Sequence, residues 1–104
     1  MKAITLYGYG YKDEEWDIGE LVKEIDESGS YEQDASLLFK KGRKYTLLDS
    51  NGCSCWDGDW EGWTDLTLTE LRKLGQAWAK NEYGSSKSMG KWINENLNKS
   101  SSRK

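Results

Sequence analysis

The sequence predicts a small α+β domain, with an antiparallel sheet of about three to four strands covered by two or three helices. Three observations predict it. Apolar residues alternate with a period of two in the first half of the chain. They recur at helical spacing near its end. Between them, Gly42-Arg43 separates two apolar runs, the signature of a β-hairpin. The 104 residues suit one domain. Residues 1–98 are expected to form it, with 99–104 as a frayed polar tail.

Each element follows from local pattern. Residues 2–11 read as a strand whose Tyr7, Tyr9 and Tyr11 share one face and cover the core, while Gly8 and Gly10 leave the other face bare. Residues 17–28 read as a helix, with Asp17 as N-cap, Glu20 completing a capping box and Ile18, Leu21, Val22 and Ile25 forming an apolar stripe. Residues 35–41 and 44–49 are the two hairpin strands. The run from Asn51 to Asp65 is a tryptophan- and glycine-rich acidic turn, with room for a further short strand. Residues 67–83 read as the longest helix, capped by Thr67 and Glu70 and stopped by Gly84. Gly75 weakens it by about 1 kcal/mol relative to Ala, which suggests a tight crossing with the sheet. A last helix at 86–97 presents Met89, Trp92, Ile93 and Leu97 on one face.

Composition narrows the function. Only 36% of residues are hydrophobic, so the six Trp, six Tyr and one Phe must supply much of the core. No run approaches the roughly 18 apolar residues of a membrane span, and the mixed run after Met1-Lys2 does not read as a signal peptide. Cys53-Ser54-Cys55 is too closely spaced for an unstrained bridge. Free thiols in a reducing cytoplasm are the expectation. The chain has no His, which removes Ser-His and Cys-His nucleophilic mechanisms and the usual zinc sites. No cofactor is expected.

Net charge is −3, but it is unevenly spread. Residues 1–65 hold 15 acidic against 7 basic side chains, and residues 66–104 hold 3 against 8. The acidic excess is densest between Lys12 and Asp34, where Asp13, Glu14, Glu15, Asp17, Glu20, Glu24 and Glu27 lie. Such a block is a solvated face or a surface for a basic partner.

The acidic turn offers two further readings. Trp56, Asp57, Asp59, Trp60 and Trp63 could line a small-ligand pocket, because aromatic rings gathered in a loop must either fold back or meet a ligand. Asp57, Asp59, Glu61 and Asp65 begin like an EF-hand loop, a weak Ca²⁺ alternative. The pattern fails at its twelfth position, where Leu68 replaces the bidentate Glu. In the basic half, Trp78 and Trp92 fall on apolar stripes, so nucleic acid is not an expected partner.

The run KYTLLDSNGCSCWDGDWEGW, preceded by SYEQDASLLFKKG, resembles small bacteriophage proteins of no established activity. The resemblance covers residues 31–63 and implies a phage gene product acting in bacterial cytoplasm. It carries over no functional residues. The expectation is therefore a non-enzymatic accessory protein that binds and modulates a host protein, such as a defence or nucleic-acid-processing factor. The alternative is a nucleotide- or sugar-binding domain built on the Trp-rich loop.

Overall fold

The structure is a computed structural model that describes residues 1–8, 10–12, 15–52 and 58–97. It is α+β, with five strands and two helices in the order β1 (Lys2–Tyr7), β2 (Glu20–Asp26), β3 (Gln33–Lys41), β4 (Lys44–Gly52), β5 (Asp59–Leu66), α1 (Leu68–Trp78) and α2 (Ser85–Asn96). One antiparallel sheet carries the strands in the order β1-β5-β4-β3-β2. Thus β2 to β5 form a meander, and β1 adds to its far edge. The sheet has one strand more than the upper expectation.

The β3–β4 hairpin turns at Gly42-Arg43 as the sequence indicates. Gly42 has φ +64°, the left-handed first position that a primed two-residue turn requires. The strand beyond expectation is β2, and the further strand for which the acidic turn had room is β5. Trp60 and Trp63 lie three residues apart on it, so the pleat sends them to opposite faces. A bulge opposite Tyr45–Leu47 places Asp65 at φ +58° and returns Leu66 to the same side as Trp63.

The segment read as a helix at 17–28 is instead the edge strand β2. Its apolar spacing comes from a bulge between Leu21 and Lys23. The bulge changes which side chains face which way, so a strand imitates a helical stripe. Val22 and Ile25 are β-branched, which favours the strand. At β1 the inward residues are Ile4 and Leu6. Tyr7 is 70% exposed, against the expected tyrosine face. Tyr9 lies outside the described residues, while Tyr11 packs on the core from beyond the strand.

Two cores lie on the two faces. On the first, α1 packs over β4 and β5, and α2 over β2 and β3. Leu38, Tyr45, Leu47, Leu66, Leu71, Met89 and Ile93 are buried there. The Thr67 hydroxyl accepts the Glu70 amide at 3.1 Å, and the Glu70 carboxylate accepts the Thr67 amide at 2.9 Å, completing the predicted capping box. Gly75 does mark a tight crossing, but with α2. A Cβ there would sit 2.7 Å from Ile93 Cγ2, and a Cβ on Gly90 would strike the α1 backbone. At the start of α2, Asp34 on β3 accepts the Ser85 amide at 3.0 Å and supplies the cap that Gly84 cannot.

The second face is covered differently. The connection from β1 to β2, described at residues 8, 10–12 and 15–19, joins opposite edges of the sheet. Four strand spacings amount to about 19 Å, well within its reach. Tyr11, Trp16 and Ile18 of this crossing pack on Ala35, Leu37, Phe39, Leu48 and the fully buried Trp60.

Candidate interaction surface

The acidic block and the crossing meet at the β2 edge. Residues 15–27 carry six carboxylates and a single lysine. Glu15, Asp17, Glu20, Glu24, Asp26 and Glu27 are all exposed. Lys23 turns to the helix side, where its ammonium lies 5.7 Å from the Trp92 ring. Leu21 and Val22 are 44% and 39% exposed within this acidic strip. Asp13 and Glu14 lie outside the described residues.

Internal bonds tie down some of these carboxylates. Glu27 accepts the Ser88 hydroxyl of α2. Glu24 accepts the Tyr11 hydroxyl at 3.4 Å. Asp26 accepts the Ser28 amide at 3.0 Å, and hydrogen bonding from Ser28 holds its carboxyl below the usual range. Asp17 pairs with Lys41 at 2.6 Å, with both side chains largely exposed. Of the expected partner residues, Glu20, Glu24 and Glu27 lie on or next to the β2 edge, with Glu27 bonded to α2, while Glu15 and Asp17 precede the strand and are exposed.

Beside this edge lies a cleft of about 700 Å³ lined by Tyr11, Trp16, Asp17, Gly19, Glu20, Leu21 and Phe39. Its aromatic wall is a set of tilted and edge-to-face rings. Tyr11 lies 5.5 Å from Trp16 and 5.6 Å from Trp60, and Trp16 lies 6.3 Å from Phe39. The wall forms where Tyr11 and Trp16 of the β1–β2 connection meet Phe39 of β3 and Trp60 of β5, so no short stretch of sequence displays it.

A second concave region lies on the helix face beside β1 and β5. A cleft of about 400 Å³ there is lined by residues including Thr5, Asp49, Glu61, Trp63, Trp78 and Asn81. Asp49 stands directly across from Glu61. Burial, then the charges of Glu61 and Asp34, push the Asp49 carboxyl up to about 6.

The Trp-rich turn divides among these places. Trp60 is fully buried and donates its indole N–H to the Gly8 carbonyl at 2.9 Å, so it is a core residue and not a ligand wall. Trp63 lines the helix-face cleft, and Asp59 a smaller one of about 170 Å³. Trp56, Asp57, Cys53 and Cys55 lie outside the described residues. Asp59 and Glu61 lie on a strand rather than in an EF-hand loop. Asp65 is drawn to Lys44 at 3.1 Å. Among the described residues, no three Asp, Glu, Cys or His side chains converge as metal ligands.

No family model, curated protein or solved structure matches this chain. Among the described residues, no helix is long and apolar enough to cross a membrane.

Proposed function

We propose that this chain is a non-enzymatic binding protein that docks a basic surface of a partner protein on the β2 edge. The observation that carries this reading is the exposed run of carboxylates from Glu15 to Glu27, interrupted by exposed Leu21 and Val22. Carboxylates steer a cationic partner and fix its register, while the apolar pair supplies area that drives contact. The bulge at Val22 and the density of charge blunt strand addition. Docking therefore proceeds through side chains rather than by extending the sheet. The bacteriophage resemblance of residues 31–63 makes a bacterial host protein the expected partner class.

Fluorescence anisotropy with a labelled octalysine peptide tests the reading. The wild-type chain binds at about 10 mM salt and weakens sharply by about 150 mM, as the screening length falls from about 30 to 8 Å. The Glu20→Lys/Glu24→Lys variant, altered at two exposed positions, loses binding at both. Absence of wild-type binding at low salt would overturn the reading.

A further inference from the structure

Resting on that reading, the geometry points to a specific occupant for the cleft beside β2, namely one arginine side chain of the partner together with its flanking peptide. The cleft joins two recognition elements that a guanidinium uses at once. Tyr11 and Trp16, both half-buried, offer aromatic surface on which a planar cation stacks, with the buried Phe39 beneath them, and Asp17 and Glu20 line the same space with carboxylates that accept its N–H groups. An ammonium, compact and strongly hydrated, uses the carboxylates but gains less from the rings.

Cations within the chain already approach two of the lining residues. The Lys12 ammonium lies 5.7 Å from the Tyr11 ring centre, and the Lys41 ammonium contacts Asp17 at 2.6 Å. The Lys41–Asp17 pair is exposed, so an incoming guanidinium displaces it at little cost. About 700 Å³ lies within the range of specific ligand sites and accommodates a long side chain with adjoining backbone. The carboxylate lining excludes phosphates and other anions. Leu21, 44% exposed beside the rings, is placed to cover the methylene stem.

The experiment compares octaarginine with octalysine on the full chain at low salt, using wild type and Asp17→Asn/Glu20→Gln, with thermal melting to confirm both are folded. Octaarginine is expected to bind wild type at least about fivefold tighter and to shift the Trp16 indole N–H resonance, which octalysine leaves in place. In the double variant the two peptides bind within about twofold of each other. Equal affinity for wild type, or an arginine preference that survives in the double variant, overturns the cleft assignment and leaves the edge reading standing. Binding of neither peptide overturns both.

Discussion

The two faces of the sheet are buried by opposite means. On one, two capped helices cover an aliphatic core of Leu38, Leu47, Leu66, Leu71, Met89 and Ile93. On the other, a single irregular crossing lays Tyr11 and Trp16 over Phe39 and Trp60. Helices satisfy their own backbone and pack closely along their length, as Gly75 and Gly90 show. A crossing covers only where its large side chains land, and it leaves a cleft where it descends to β2. The aromatic cleft accordingly lies on the less regular face.

Cutting each core tests this contrast most severely. Trp60→Ala should cost about 3–5 kcal/mol and Leu47→Ala about 2–5, read from chemical denaturation. Comparable losses would mean that both faces belong to one cooperative unit. A Trp60→Ala loss below about 1 kcal/mol would make the crossing a loose appendage.

Gly90→Ala probes the closeness of the helix face. Its Cβ would strike the α1 backbone, which cannot rotate aside. A loss of about 2–3 kcal/mol is expected despite the better helix propensity of Ala. A neutral or stabilising result would show the helices to be further apart.

Asp49→Asn addresses the uncovered corner of that face. The folded chain holds the Asp49 proton up to about pH 6, whereas the ordinary Asp value is 3.8. Between those values the unfolded chain has released a proton that the folded chain retains, so stability falls as pH rises. Above about pH 6 the full cost of burying the charge remains. The variant should match wild type below about pH 4 and gain about 1–2 kcal/mol by pH 7, measured by melting across pH. A pH-independent difference would contradict the burial of Asp49.

The smallest effect belongs to the helix cap. Thr67→Ala removes the bond to the Glu70 amide and should cost about 1 kcal/mol. An unchanged melting temperature would show that packing alone holds the start of α1.

Much of the helix face was legible in sequence because its signals are local. Gly42-Arg43, the Thr67–Glu70 box and the Met89–Ile93 spacing each name their own element. The other face was not legible in the same way. A bulge gave β2 the spacing of a helix, and only its β-branched residues hinted otherwise. Trp60 and Trp63 stand three positions apart, which reads as a cluster in a loop but as opposite faces in a strand. The cleft required knowing that Tyr11 and Trp16 come to lie on Phe39 of β3, a long-range fact that no spacing encodes. The acidic block was visible from its charge, although on a strand edge its carboxylates face different neighbours than on a helix.

The most direct test of the central claim is chemical-shift mapping of the ¹⁵N-labelled chain during titration with octalysine at low salt. The account predicts perturbations concentrated at Glu15–Glu27, strongest around Glu20 and Leu21, with α1 and α2 unmoved. Perturbations centred on the Asp49–Glu61 corner, or spread evenly over the molecule, would contradict it.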